Sequence, residues 1–365
     1  MKIQNQGFDH VEFVVSDLTR HEDMYRRMGF EKIGERFSKV KGSHTVAYAQ
    51  GFIRILLTCP DGTPGARATF DKTEEGKFLA AHGDGICVLA VEVDDARKAY
   101  ELTTGRGARS AMAPKVFEGT GGSLVRSEIW TPADLRYAFI QRKSPNGLKS
   151  PALLDGELPV SRLESPSPRN LRVIDHLTNN VSIGEMKKWV EWYKQTFEFI
   201  VSRHFHIKTG RTGLISDVVQ STDHKIKVPI NEATEPESQV QEFVDRFKGP
   251  GVQHLALLTT DIMDTLPGLR REGFKFLTVP HSYYEVVPTR VPNVTEDLVK
   301  LEEQGILLDG EKEGYLLQIF GEEAVGPFFF EYIQRKGNQG FGEGNFKALF
   351  EAIERDQIQR GVLKA

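Results

Sequence analysis

Glu331 is a carboxylate in the middle of an apolar run. The segment PFFFEYIQRK, residues 327–336, surrounds it with the β-formers Phe328, Phe329, Phe330, Tyr332 and Ile333, and a run so apolar and so short predicts a strand enclosed on both faces. Burying an ionised carboxylate there is costly unless a cation or a metal ion sits beside it. Two histidines could complete a metal site. His176 lies in IDHLTNNV and His254 in GVQHLAL, each inside a predicted strand, and the three residues follow one another at 78 and 77 residues (254 − 176 and 331 − 254). Two imidazoles and one carboxylate on separate strands make a facial set that leaves three coordination positions open, the ligand type of non-haem Fe(II) sites that activate oxygen.

An internal repeat positions these residues. GFDHVEFVVSDLTRHEDMYRRMGFEKI returns as VIDHLTNNVSIGEMKKWVEWYKQTFEFI, which sets His10 against His176 at an offset of 166 (176 − 10). GDGICVLAVEVDDARKAYELTTGRGA matches GPGVQHLALLTTDIMDTLPGLRREGF at the same offset, Val88 against His254, and AFIQRK matches EYIQRK at 193 (331 − 138), Ala138 against Glu331. The chain therefore reads as a duplicated half with an insertion in the second copy, within residues 280–314. The repeat is also a control: the first half keeps His10 but has Val88 and Ala138 at the other two positions, so only the second half is expected to hold metal.

Each half reads as two βαββ(β) units. In the first, strands are expected around His10–Val15 and Phe52–Thr58 with a helix over Leu18–Met28, then strands at Ile86–Val93, Leu124–Trp130 and Leu135–Gln141 with a helix over Asp94–Thr104. The proline-rich stretch 144–170 reads as a linker between domains at 1–143 and 171–336. After it and the second repeat, 337–365 carries a helix that Asn345 could cap, its apolar face Phe346, Leu349, Phe350 and Ile353. A chain of 365 residues allows two such domains. The formal charge of −4 gives no basic footprint for nucleic acid, and no stretch has the ~20 apolar residues of a membrane span. The start, MKIQNQGFDHVEF, lacks a signal-peptide core, so the expected location is the cytoplasm. Cys59 and Cys87 show no CxxC spacing and read as buried thiols.

Other candidates carry less chemistry. His204 and His206 share one face of a strand, a geometry some metal sites use, but no third ligand accompanies them and RHFHIKTGR reads as a polar strand end. GTGGS at 119–123 lacks the GK[ST] of a phosphate loop and reads as a hairpin turn. His10 reads as a relic of the shared ancestor. Glu331 could instead pair with Arg335, and Phe346 and Phe350 could be core packing of the last helix.

In their order, IDHLTNNV, KIKVPINEA, GVQHLAL, GYLLQIF, PFFFEYIQRK and NQGFGEGNF make the chain resemble the 4-hydroxyphenylpyruvate dioxygenases of the vicinal oxygen chelate superfamily over essentially its whole length. The resemblance implies an α+β fold of two tandem domains, each of paired βαβββ modules forming an open β-barrel with helices outside, plus a C-terminal helix. It implies one Fe(II) per chain, held by His176, His254 and Glu331, and the small-molecule partners 4-hydroxyphenylpyruvate and O2 in a homo-oligomer, dimer or tetramer. The substrate's own α-keto acid would take two coordination positions and O2 the third, so no 2-oxoglutarate is needed, and the products would be homogentisate and CO2. Ser216, Asn231, Gln253 and Gln318 would take catalytic roles, with Gln239, Phe320, Phe329, Asn345, Phe346 and Phe350 around the substrate. The last helix would close over the site and keep water out. One departure is Ala233, where the family commonly has proline, followed by a shorter loop before Gln239. A 4-hydroxymandelate synthase, an extradiol or glyoxalase-like enzyme on the same scaffold, and a ligand-sequestering protein without catalysis stay open as alternatives.

Overall fold

The computed structural model describes residues 3–119, 122–143, 152–208, 212–311, 314–346, 357–358 and 361. The first half runs β1 (Asn5–Val14), α1 (Leu18–Arg27), β2 (Glu31–Ser38), β3 (Ser43–Gln50), β4 (Ile53–Pro60), α2 (Ala66–Phe70), α3 (Glu74–His82), β5 (Gly85–Val93), α4 (Ala96–Gly105), β6 (Ser110–Gly119), β7 (Gly122–Trp130) and β8 (Arg136–Lys143). A short hairpin, β9 (Ala152–Leu153) and β10 (Pro159–Val160), follows. The second half repeats the plan as β11 (Leu171–Val181), α5 (Met186–Phe197), β12 (Ile200–Lys208), β13 (Gly213–Gln220), β14 (Lys227–Ala233), α6 (Gln239–Phe247), β15 (Gly251–Thr259), α7 (Ile262–Arg271), α8 (His281–Arg290), α9 (Leu298–Gln304), β16 (Leu307–Glu311), β17 (Gly314–Val325) and β18 (Phe328–Lys336).

Both halves form an eight-stranded sheet of the same order, β2-β3-β4-β1-β5-β8-β7-β6 and β12-β13-β14-β11-β15-β18-β17-β16. Each sheet is two βαβββ modules joined where their first strands pair antiparallel, β1 with β5 and β11 with β15. The duplication extends to the caps. Asp95 and Asp261, equivalent at the offset of 166, each accept from a backbone N–H three residues on to start α4 and α7. The insertion in the second half is α8 and α9, between α7 and β16. Gly119 at the end of β6 pairs with Gly122 at the start of β7, in line with a hairpin at GTGGS, whose residues 120–121 lie outside the described residues.

Alternation along β18 shows how PFFFEYIQRK serves two purposes. Phe328 and Phe330 point outward into a core common to the two halves, Phe328 edge-on to Phe13 at 5.1 Å and Phe330 to Tyr25 at 6.2 Å. Phe329 and Glu331 point the other way, into the concave face. The helices α4 and α5 extend the contact: Arg106 donates to the Thr196 carbonyl and pairs with Glu198, and the Tyr137 and Tyr193 hydroxyls meet at 3.1 Å.

The stretch after β8, read as a linker, is no open tether over its described residues. Leu154, Leu158 and Val160 are buried against Ile33, Ala47, Ala49 and Leu56, so the β9–β10 hairpin covers the concave face of the first sheet. Among the described residues no helix is long and apolar enough to cross a membrane.

Candidate metal centre

Strand register brings the three ligands together. Ala256 on β15 is the pivot: it pairs with His176 on β11 at one side and with Glu331 on β18 at the other. His254 lies two residues along β15 and so projects from the same face. His176 Nε2 is 3.3 Å and His254 Nε2 3.5 Å from Glu331 Oε2, and ligand atoms of all three lie within 4.8 Å of one another. Neighbouring donors on an octahedral ion with bonds of about 2.1 Å stand roughly 3 Å apart, so one ion fits between these atoms with little adjustment. Glu331 Oε1 is buried without a hydrogen-bond partner, as suits a group kept for a metal. In the first half the same register places Ala90 between His10 and Ala138, with Val88 in the place of His254.

Two β-bulges orient the imidazoles. The β11–β15 register skips Asp175, between Ile174 and His176, and skips Gln253, between the pairs Thr178–His254 and Asn179–Val252. A bulge turns the extra residue toward its neighbour's face. Each skipped residue therefore meets the Nδ1 of the following histidine, Asp175 Oδ2 at 2.8 Å from His176 and Gln253 Oε1 at 3.1 Å from His254. A proton held on Nδ1 leaves the Nε2 lone pair free for the ion. Burial works against charge on His176, but Glu331 first and then Asp175 hold it above the usual histidine range. Burial and the neighbouring His176 hold His254 well below it, so that this ring is neutral.

Around the ligands the walls are apolar with a few polar atoms. His254 stacks on Phe329 at 4.9 Å and meets Phe320 edge-on at 6.3 Å; Phe341 meets His176 at 5.4 Å. His176, Asn231, Gln239, Gln253, His254 and Phe346 line a cavity of about 40 Å³, and Gln239, Gln253 and Phe329 also line an adjoining cleft of about 380 Å³. Ser216 pairs with Asn231 across β13 and β14, and its buried Oγ has no partner. Gln318 is fully buried, and among the described residues neither of its amide atoms has a partner. Against it lies Gly342, whose φ of +79° is open to glycine and where a Cβ would fall 1.9 Å from Gln318 Oε1.

Two readings are revised. Asn345 does not cap the last helix: the turn at 343–346 starts on Gly342, whose carbonyl accepts from the Phe346 N–H at 3.0 Å. Asn345 is instead buried, its Oδ1 accepting from the Tyr283 hydroxyl at 2.5 Å. Phe350 lies outside the described residues. Arg335 pairs with Asp175 and not with Glu331. His204, on the exposed β12, binds Asp217 at 2.6 Å and stands apart from the metal cluster with His206. Asp175, Arg335 and Phe341 were missed, although the sequence signals the first two: Asp precedes His in both FDHVEF and IDHLTN, and QRK closes both copies.

Residues 2–120 match the family model described as hydroxyphenylpyruvate dioxygenase, N-terminal, and residues 173–286 that of the glyoxalase, bleomycin resistance protein and dioxygenase superfamily. A 4-hydroxyphenylpyruvate dioxygenase of Legionella pneumophila is 38% identical over 98% of this chain and 96% of its own. One of Pseudomonas aeruginosa is 37% identical over 99% and 97%. Among solved structures, a triple mutant of 4-hydroxymandelate synthase from Streptomyces coelicolor superposes with a TM-score of 0.83 at 25% identity, covering 98% of this chain and all of that one. Likeness at this identity along both whole lengths, with the ligand set intact in the second half, makes the chain a member of the 4-hydroxyphenylpyruvate dioxygenase family.

Proposed function

We propose that the chain is an Fe(II)-dependent dioxygenase that converts 4-hydroxyphenylpyruvate and O2 to homogentisate and CO2, with 171–336 as its catalytic domain and 337–365 as the segment that closes over the site. The carrying observation is the convergence of His176, His254 and Glu331 on one point in a chain of this family. Bound iron supplies the redox chemistry and the open coordination positions for a chelating keto acid and O2.

The chain's own residues do the rest. Asp175 and Gln253 keep both Nε2 atoms turned to the ion. Phe320 and Phe329 beside His254 give an aromatic ring an apolar wall. We assign the unbonded polar atoms of Ser216 and Gln318, with Asn231 across from Ser216, to the substrate phenol, because buried polar groups need partners that this substrate would provide. Gln239 and Phe346 line the approach. The cavity of about 40 Å³ at the ligands is too small for the keto acid, so we assign its entry to a displacement of the lining side chain Phe346, whose return would exclude water. We further assign a homo-oligomeric state, which sedimentation equilibrium would test.

The test is anaerobic loading with Fe(II) and 4-hydroxyphenylpyruvate, followed by O2 and chromatography of the products. Homogentisate with one equivalent of CO2 is the expected result. Hydroxymandelate would move the chain to the synthase reaction, and neither product would overturn an enzymatic reading. The dioxygenase relatives at 37–38% identity, against 25% for the synthase structure, support the first outcome.

A further inference from the structure

The metal-free half keeps a pocket of its own. Strand register equates its walls with those around the ligands in the second half: since Val88 matches His254 and Ala138 matches Glu331, Arg136 stands where Phe329 is, Glu128 where Phe320 is and Arg126 where Gln318 is. Thr58 likewise takes the place of Asn231. The aromatic and amide walls are thus replaced by charges around a cleft of about 350 Å³.

These charges are nearly all mutually satisfied. Glu128 binds Arg126 at 2.8 Å and Arg136 at 3.0 Å; Arg136 also reaches Glu75 at 2.6 Å, and Arg36 reaches Asp155 at 2.9 Å. Glu12 is the exception. It lines the cleft and is only 5% exposed, yet among the described residues its one side-chain partner is the Thr58 hydroxyl, at 2.7 Å from Oε1. Burial, and then the Glu75 carboxylate, hold it above the usual carboxylate range. The cleft is lined by six carboxylates, Glu12, Glu74, Glu75, Glu128, Asp155 and Glu157, and five cations, Arg36, Lys41, Lys72, Arg126 and Arg136, an excess of one negative charge when Glu12 is ionised.

We propose that this cleft binds a small organic molecule through a primary ammonium group seated on the free oxygen of Glu12. One excess charge calls for one cation. A single free oxygen suits the point charge of an ammonium, whereas a guanidinium would use two acceptors side by side. Thr58, itself 3.0 Å from Thr45 Oγ1, fixes the carboxylate so that its second oxygen faces the cleft. Phe117 and Met112 at the rim offer apolar surface for the rest of the molecule. None of this uses the metal site, and the inference stands apart from the reaction assigned above.

The experiment titrates the iron-loaded full chain with n-butylammonium chloride, following backbone amide shifts by NMR, with 1-pentanol, one carbon longer, as the uncharged comparison and MgCl2 as a simple cation. The expected result is saturable shifts confined to residues around Glu12, Thr73 and Phe117, at least tenfold weaker binding in Glu12→Gln, and no saturation with pentanol. Thr58→Val, which leaves the carboxylate in place but unoriented, should weaken binding less. Equal binding by Glu12→Gln, equal binding of pentanol, no saturable shifts with the ammonium salt, or preferential binding of Mg2+ would each overturn the proposal. Should Glu12→Gln unfold, Thr58→Val and the pentanol comparison still decide it.

Discussion

Arg335 grips Asp175 with two hydrogen bonds, Nε to Oδ1 at 2.7 Å and Nη2 to Oδ2 at 2.6 Å, while Asp175 Oδ2 meets the Nδ1 of the ligand His176. The same guanidinium donates through Nη1 to the carbonyls of Asn338 and Gly340. One side chain thus fixes the direction of a metal ligand and the backbone at Asn338 and Gly340. Burial alone would raise the Asp175 carboxyl, and Arg335 ahead of His176 holds it well below the ordinary range. Asp175→Asn keeps the shape and removes the charge. It should lower iron affinity by about 10–100-fold, measured by titration against a competing chelator, and unchanged affinity would show that the pair serves the fold alone.

That last possibility has a built-in comparison, because the first half repeats the pair. Arg142 binds Asp9 at 2.6 and 2.7 Å, and Asp9 contacts His10. With Val88 and Ala138 beside it, His10 lacks partners for an ion. His10→Ala should leave iron at one per chain by elemental analysis, whereas Glu331→Ala and His254→Ala should remove it. Ligand binding raises stability only where the site exists, so added Fe(II) should raise the Tm of the wild type and of His10→Ala and leave that of the other two unchanged. A halved iron content in His10→Ala would mean that both halves bind metal.

How much of this was legible follows from what each signal requires. Ligand identity came from the repeat, since His176, His254 and Glu331 differ from Val88 and Ala138 at matching offsets while His10 is kept. The insertion was legible for the same reason. The Asp before each strand histidine was visible and Gln253 entered through the resemblance, but their contacts with the Nδ1 atoms were hidden, because a bulge, which decides the face a strand residue joins, leaves no mark in residue type. Asn345 misled because an Asn before an amphipathic run satisfies the capping rule, and only tertiary contact with Tyr283 gives its side chain another partner. The hairpin at Leu154–Val160 was masked by prolines that read equally well as a tether.

Acid should act first through the buried pairs. Arg142 and Arg54 overcome burial to hold Asp9 well below the usual carboxylate range, and Arg36 and Arg126 do so for Asp155. A depressed folded pKa means the unfolded state binds the proton more tightly, so these groups stabilise the fold fully above the unfolded value of about 3.9. That stability is lost as pH falls from there through the folded values. Urea unfolding should give similar midpoints from pH 8 to pH 5 and a steep fall below about pH 4. A midpoint that declines evenly across pH 8 to 5 would place the sensitive groups elsewhere.

Phe328 tests whether the two halves share their stability. It is 2% exposed and packs edge-on to Phe13 of the first half and to Phe330 at 5.0 Å. Phe328→Ala leaves a cavity between the sheets, at a cost of about 3–5 kcal/mol. The loss should appear in tryptophan fluorescence, which reports Trp130 in the first half and Trp189 and Trp192 in the second, as one transition at lower denaturant. Two separated transitions in the wild type would show instead that the halves unfold independently.

The insertion holds Gly344 and Asn345 in place. Tyr283 on α8 gives its hydroxyl to Asn345 Oδ1 and receives the Leu308 N–H at 2.7 Å, Arg290 reaches Asn345 Oδ1 at 3.3 Å, and Asp309 takes the Gly344 N–H at 2.9 Å. Among its described residues the first half has no counterpart of α8 and α9, and there the β9–β10 hairpin covers the concave face. Tyr283→Phe keeps the ring and removes the hydroxyl, leaving the buried Leu308 N–H unbonded and Asn345 with Arg290 alone. Such losses cost about 1–3 kcal/mol, shared between the hold on Asn345 and the contact of α8 with β16. Chymotrypsin cleavage at Phe341 or Phe346 should quicken by about 5–100-fold, by more than a lowering of the main Tm by a few degrees accounts for. Homogentisate formed per O2 consumed should fall below one as water enters the site. Cleavage at the wild-type rate would show that the hold lies in the remaining contacts of Asp309 and Arg335.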